Sequence, residues 1–247
     1  MVKRKDIVAF LDEFLKIEEV EDKYLHNGLI FEGKDEVKKI AFAVDSSLDV
    51  IEAARKENAD MLVVHHGFLS RMSLFPITHH VKKIVKELVE SGISVYGAHI
   101  PLDVHEKVGN NTELCRIFGV SVKGAFTHGY WGEFKEETDL KDFIKDIEKK
   151  LDTRCCVFDF GKKKIKSIAF VSGGAQYDVL DALRKDIDCF VTGESSHSTF
   201  LIAKDAGANM IAAGHYATET LGVKALMKVV DLKYIVDTVF IDMPTGL

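Results

Sequence analysis

Helical and strand patterns alternate along the whole chain, and this alternation constrains the fold more than any other feature. Residues 61–64 are four consecutive apolar residues, as is typical of a strand buried on both faces of a parallel sheet. A helical pattern at about 80–91 and a strand pattern at 93–98 follow. The same rhythm continues to residue 241. Strands that alternate with helices predict βαβ units, so we expect an α/β fold with mainly parallel sheets.

The length of the chain, 247 residues, is enough for two such units. A helical pattern ends at Gly119, and a new strand pattern starts near residue 126 with no low-complexity linker between them. We therefore predict two tightly packed α/β units, residues 1–125 and 126–247. The C-terminal strand can return to the first unit.

The charge balance bears on the class of partner. A formal net charge of −6 does not favour nucleic acid, because phosphate binding usually needs a basic surface. Lysines cluster at 162–166, which leaves a local basic surface open, although a solvated turn is the simpler interpretation. No stretch approaches the roughly 18 to 20 apolar residues of a membrane span, and no apolar signal core precedes the first helical pattern. We expect a cytoplasmic protein with no membrane partner.

The four cysteines point to a reduced protein. No C-x-x-C spacing occurs, and Cys155 and Cys156 are adjacent in a strand pattern, so their side chains point to opposite faces. This arrangement is poor geometry for a shared zinc ion or a disulfide framework. We expect reduced, buried cysteines.

Residues able to bind a metal ion gather directly after the strand patterns. In parallel α/β sheets, ligands bind beyond the carboxyl ends of the strands. Histidines placed at random on a surface would not follow strand ends in this way. The residues concerned are His65, His66, His99, Asp103, Glu194, His197, His215 and Glu219.

His65, His66 and Asp103 are the candidate ligands of the first half. Neighbouring residues that leave a strand point in different directions, so His65 and His66 can serve two metal ions. The alternative is a pair of surface loop histidines. Pro101 stiffens the turn that presents Asp103, and a carboxylate suits a divalent ion. Asp103 is alternatively a helix cap or a turn residue.

His215 and Glu219 are the candidate ligands of the second half. They are four residues apart at the start of a predicted helix, so they share one face, and the carboxylate can bridge two ions. The alternative is a chance pair on a solvated helix face. His99 and His105 are either residues that support the ligands or ordinary loop residues.

Glu194 and His197 are the candidate catalytic residues. Glu194 can act as a general base or can orient a metal ligand, and His197 can donate a proton or contact substrate. Ser195 suggests a nucleophile elbow, but the second glycine of that motif is replaced by His197. A serine hydrolase is therefore disfavoured, and Ser196 or Ser198 is most simply a helix cap.

Taken together in order, these residues resemble the GTP cyclohydrolase I type 2 homologue family, also called the NIF-three-like family. The resemblance covers nearly the whole chain. One departure is Gly67, where many members have proline. The segments that carry the resemblance are 27–29 with Gly33, 44–45, 65–66, 98–99, 102–103, 192–194 with His197, 214–219 and 221–222.

The resemblance implies a dinuclear metal site at the strand ends between the two halves. Its implied ligands are His65, His66, Asp103, His215 and Glu219. The ions are two divalent cations per chain, with zinc, iron, manganese and cobalt all compatible with these ligands. The family fold implies a homohexamer in the form of a ring.

Three functions follow as hypotheses. The first is a dinuclear metal-dependent hydrolase that acts on a C–N bond of a nucleotide or related heterocycle, as in the GTP ring opening that the family name implies. The second is a metal-containing hexameric binding or scaffold protein that contacts transcription factors or nucleic acid. The third is a metal-dependent phosphoesterase.

Overall fold

A computed structural model describes residues 1–70 and 76–247 of the chain. The structure confirms the α/β class and divides the chain into two units. Unit 1 comprises Met1–Leu102 and Val223–Met243, and unit 2 comprises Asp103–Gly222 and Pro244–Leu247.

The division between the units does not fall near residue 125. The helix that starts at Asn110 packs against strands of the second sheet, so the chain enters unit 2 about twenty residues earlier than its change of pattern suggests. Asp103, which we grouped with His65 and His66 in the first unit, therefore belongs to unit 2.

The secondary structure follows the predicted alternation. The first part of the chain forms β1 (Val2–Lys3), α1 (Arg4–Leu15), β2 (Gly28–Phe31), β3 (Glu36–Val37), β4 (Lys39–Asp45), α2 (Leu48–Lys56), β5 (Met61–His66), α3 (His79–Ser91), β6 (Ser94–Gly97) and α4 (Ile100–Asp103). The rest forms α5 (Asn110–Ile117), β7 (Ser121–Phe126), β8 (Gly129–Asp139), α6 (Leu140–Leu151), β9 (Cys156–Asp159), β10 (Lys164–Val171), a 3₁₀ turn (Gln176–Asp178), α7 (Val179–Arg184), β11 (Cys189–Thr192), α8 (His197–Ala206), β12 (Asn209–Ala212), α9 (His215–Lys233) and β13 (Asp237–Phe240).

The sheet of unit 1 is mainly parallel. Its strand order is β13-β4-β5-β6-β2, in which the first four strands are mutually parallel and β2 pairs antiparallel with β6. The C-terminal strand β13 thus lies beside β4. Phe42, Met61 and Tyr96, from the three central strands, are fully buried. Continuous apolar strands are expected where helices cover both faces of a sheet.

The sheet of unit 2 is mixed. Its order is β7-β8-β10-β11-β12-β9, with β10, β11 and β12 parallel at the centre and antiparallel pairs around them. The strand pattern that starts near residue 126 instead begins with the turn between β7 and β8. Thr127 adopts a φ of 46° in that turn, and the sequence has none of the Asn-Gly or Asp-Gly signals that usually mark such hairpins.

Serine side chains cap two of the helices, and one of these caps, Ser196, is a predicted one. The Ser47 hydroxyl accepts a hydrogen bond from Val50 N at the start of α2. Ser196 caps α8 and forms a reciprocal capping box with Thr199. These hydrogen bonds satisfy backbone donors that a helix start would otherwise leave open, which is why the two helices begin where they do.

The cysteines are all free thiols, as expected, but they are not all buried. Cys115 and Cys189 are buried, Cys155 is half-buried, and Cys156 is exposed. The expectation of burial was therefore wrong for Cys156, whose strand β9 lies at the edge of its sheet. Within residues 1–70 and 76–247, no helix has the length and apolar character needed to cross a membrane.

Candidate metal centre

Three histidine rings of unit 1 lie together at the carboxyl ends of β5 and β6. His65 and His66 are the last two residues of β5 rather than the first residues after it, and His99 follows β6. The ring centroids are 4.5 Å apart for His65 and His66, 5.1 Å for His65 and His99, and 5.5 Å for His66 and His99. One ring nitrogen of each lies within 4.8 Å of the others. These three residues are here named the unit 1 cluster.

The rings of His65 and His66 are each fixed through Nδ1. His65 is fully buried, and its Nδ1 donates to the Ala98 carbonyl over 2.9 Å. His66 Nδ1 donates to Oδ1 of Asp45 over 2.8 Å. Asp45 ends β4 and is the register partner of His66 on β5, so the sheet itself places this carboxylate. A proton on Nδ1 puts the lone pair of each neutral ring on Nε2, the atom that would bind a metal ion.

His99 is fixed in the same way by a carboxylate far away in sequence. Its Nδ1 donates to Oδ2 of Asp22 over 2.8 Å. Burial disfavours the Asp22 carboxylate, but hydrogen bonds from His99, Asn27 and the Tyr24 backbone hold the pKa of Asp22 well below its usual range. Sequence reasoning gave no role to Asp22, because residues 16–27 show no periodic pattern that would place them.

Asp103, His215 and Glu219 lie together in unit 2, and they are here named the unit 2 cluster. Asp103 and Glu219 are buried, and one carboxylate oxygen of each lies within 4.8 Å of the other. Nε2 of His215 is 3.2 Å from Oε2 of Glu219. His215 is the first residue of α9, so the predicted shared helix face of His215 and Glu219 is confirmed.

Buried amide and hydroxyl groups hold Asp103. Its Oδ1 accepts hydrogen bonds from Asn110 Nδ2 and from Ser172 Oγ, both over 2.9 Å. The amide oxygen of Asn111 accepts from Ser172 N over 2.8 Å, and that of Asn110 accepts from Gly222 N over 2.8 Å. Sequence reasoning missed both asparagines. Adjacent asparagines at a helix start resemble ordinary polar residues until the chain folds.

Glu194 is the hydrogen-bond partner of His215. Its Oε1 accepts from Nδ1 of His215 over 2.6 Å. Burial disfavours the imidazolium form, but the hydrogen bonds and charges of Glu219 and then Glu194 outweigh it and raise the pKa of His215 to about 9. Negative charge on both sides of this ring stabilises a cation there. The other catalytic candidate, His197, is exposed at the start of α8.

Gly173 leaves room for the unit 2 cluster. Its φ is +67°, and a Cβ at this position would lie 2.2 Å from Oε1 of Glu219 and 3.2 Å from Nε2 of His215. A residue with a side chain would therefore displace the Glu219 carboxylate. Glycine is required here both by backbone conformation and by this close approach.

The donor chemistry of both clusters fits a divalent metal ion. Imidazole nitrogens and carboxylate oxygens are the ligands that zinc, iron, manganese and cobalt share. His65, His66, His99 and His215 each have Nδ1 bound to an oxygen acceptor, which is the usual outer support of a metal-binding histidine. An α/β chain with such groups at its strand ends defines a candidate metalloprotein.

Comparison with known proteins gives the family. The model of the DUF34/NIF3 family, NGG1p interacting factor 3, matches residues 2–245. The chain therefore belongs to the DUF34/NIF3 family, and the resemblance inferred from the sequence is confirmed.

Similar proteins cover the chain from end to end. A relative from Pyrococcus horikoshii named GTP cyclohydrolase 1 type 2 homolog is 46% identical in an alignment of 251 positions that covers 99% of each chain. The structure of TTHA1606 from Thermus thermophilus is 36% identical, covers 100% of both chains and superposes with a TM-score of 0.92. That of protein ybgI, of unknown function, is 31% identical with full coverage and a TM-score of 0.95.

Proposed function

We propose that this chain is a hydrolase that depends on two divalent metal ions and acts on a C–N bond of a nucleotide or related heterocycle. One observation carries the proposal. His65 and His66, at the end of β5, have Nδ1 engaged by a carbonyl or a carboxylate oxygen, so their Nε2 lone pairs are set for metal ligation. A histidine with a purely structural role has no need for this repeated arrangement.

The proposed ligands are His65, His66, Asp103, His215 and Glu219. The buried state of His65, Asp103 and Glu219 supports this assignment, because buried charges and imidazoles are retained where they are paired or bind metal. Five protein ligands for two ions leave coordination positions for water or substrate, as a catalytic site requires.

The proposed roles of the remaining residues follow from their contacts. Asp45 and Glu194 orient His66 and His215 through Nδ1. Divalent ions supply Lewis acidity and lower the pKa of water, so that hydrolysis can proceed near neutral pH. We assign proton transfer to Glu194 or His197. The exposed position of His197 at the start of α8 suits a residue that meets substrate from solvent.

GTP is the substrate to test first. The relative from Pyrococcus horikoshii carries the name GTP cyclohydrolase 1 type 2 homolog, and the match covers 99% of the chain. We extend the proposal to a cytoplasmic homohexamer with zinc, iron, manganese or cobalt as the ion. No specific contact within the described residues of either unit selects a guanine base, so related heterocycles belong in the same assay.

The experiment loads the metal-free protein with each of the four metals in turn and incubates it with GTP and other nucleotides. Release of formate supports cleavage of the purine ring. Release of phosphate without formate would instead indicate phosphoester hydrolysis. If neither product forms with any metal, the proposed hydrolase is contradicted. A metal-containing binding or scaffold protein then remains. Where a proposed carboxylate ligand is substituted, Glu133→Gln is the control, because it removes one carboxylate from an exposed ion pair with Lys123.

A further inference from the structure

Asp22 is a buried carboxylate that accepts hydrogen bonds from several donors around it. Oδ1 accepts from Tyr24 N over 2.8 Å and from Leu25 N over 3.2 Å. Oδ2 accepts from Asn27 Nδ2 over 2.9 Å and from His99 Nδ1 over 2.8 Å. Burying an ionised carboxylate costs free energy that these hydrogen bonds offset. Its place in the fold therefore needs an explanation beyond packing.

As a result of this network, His99 is held at its backbone and at its ring. The His99 backbone N–H donates to Asn27 Oδ1 over 2.7 Å, and its ring Nδ1 donates to Asp22. Because both oxygens of the ionised Asp22 only accept, the proton of the neutral His99 ring lies on Nδ1. Nε2 is then the atom with a lone pair.

The ring that is fixed in this way stands beside two proposed metal ligands. His99 is 5.1 Å from His65 and 5.5 Å from His66 between ring centroids, and one nitrogen of each ring lies within 4.8 Å of the others. The three rings share one pattern, in which Nδ1 donates to an oxygen. A third imidazole nitrogen this close to two proposed ligands is within reach of the ion that either of them binds.

We infer that His99 is a sixth donor of the metal centre, acting through Nε2 on the ion bound by His65 or His66, and that Asp22 is the positioning residue that holds it. This inference rests on the proposed function, since it requires the unit 1 cluster to bind a metal ion. It adds His99 to the five ligands that the family resemblance implies.

Two substitutions test the inference without an assay of activity. His99→Gln removes the imidazole and keeps a polar side chain of similar size. In Asp22→Asn, an amide NH₂ takes the place of one carboxylate oxygen. It faces a hydrogen-bond donor whichever way the amide is turned, because both oxygens of Asp22 accept hydrogen bonds. His128→Gln, at an exposed turn of unit 2, is the matched control for loss of one imidazole. Circular dichroism and thermal unfolding verify that each variant is folded.

The readouts are the zinc affinity of the full chain, from competition with a chelator, and the visible absorption spectrum of the cobalt-loaded protein. We expect His99→Gln and Asp22→Asn each to weaken metal affinity by about 10- to 100-fold and to change the cobalt spectrum, with His128→Gln unchanged. If Asp22→Asn does not fold, His99→Gln decides alone.

Wild-type affinity and an unchanged spectrum in His99→Gln would overturn the inference. His65→Ala and His66→Ala separate this failure from failure of the proposed function. If these two variants lose metal and His99→Gln does not, only the role of His99 is wrong. If none of them loses metal, the proposed metal centre is wrong as well.

Discussion

Glu194 and His215 form a carboxylate–imidazole pair in which Oε1 of Glu194 accepts a hydrogen bond from Nδ1 of His215 over 2.6 Å. The contact leaves Nε2 of His215 directed to Glu219, 3.2 Å away. The pair therefore assigns Glu194 a definite task, which is to orient a proposed metal ligand.

Glu194→Gln should weaken metal binding by about 10- to 100-fold, because the amide holds the His215 ring less firmly and removes a negative charge. Chelator competition measures this affinity. Glu194 is half-exposed, so the fold should be retained. Glu133→Gln serves as the surface control. An unchanged metal affinity together with a loss of hydrolysis would instead make Glu194 a catalytic residue only.

The stability of the metal-free protein should depend on the protonation of His215. Its pKa is raised to about 9, against an ordinary value of about 6.5. The folded state therefore holds the proton more tightly than the unfolded state does. The resulting contribution to the free energy of unfolding is complete below about pH 6.5, and it is lost as the pH rises through about 9. Thermal unfolding of the metal-free protein, measured between about pH 6.5 and 9, should show this loss of stability. The loss should be smaller in Glu194→Gln. Identical pH profiles for the two proteins would contradict this pairing.

Gly173→Ala should disturb the unit 2 cluster more than it disturbs the fold. The new Cβ would lie 2.2 Å from Oε1 of Glu219. Gly207→Ala is a matched control, since Gly207 has a similar φ of +63° but meets only the Phe160 carbonyl at 3.7 Å. Both variants should lose about 1 kcal/mol or more of unfolding free energy from the positive φ. Only Gly173→Ala should lose metal affinity, and equal affinities in the two variants would refute the role of this contact.

The exposed thiol of Cys156 should be alkylated in the native protein, whereas the two buried thiols and the half-buried Cys155 should not. Burial raises the pKa of Cys115 and that of Cys155 to about 12, so few thiolates form at neutral pH. Mass spectrometry after treatment with iodoacetamide should detect one modification per chain, and Cys156→Ser should abolish it. Rapid labelling of Cys115 or Cys189 would show that the core of unit 2 opens readily.

The sequence predicted those parts of the centre that local rules control. Apolar strand patterns located the end of β5 to within two residues and that of β6 to within one, and the spacing of four residues placed His215 and Glu219 on one helix face. These inferences need only the periodicity of a strand or a helix.

Long-range contacts explain what the sequence did not predict. Asp22 lies 77 residues from its partner His99, and Asn111 lies 61 residues from Ser172, so no local pattern connects them. The hairpin between β7 and β8 was also missed, because Thr127 is an unusual residue for a positive φ. Such pairings become visible only when the sheet brings its strand ends to one edge.

Metal content per chain is the most direct test of the proposed centre. Protein saturated with zinc and then freed of excess metal should contain about two ions per chain by elemental analysis, and Glu219→Ala should lose most of both. Retention of two ions by Glu219→Ala would contradict the bridging carboxylate. A wild-type protein that binds no divalent metal under these conditions would contradict the centre as a whole.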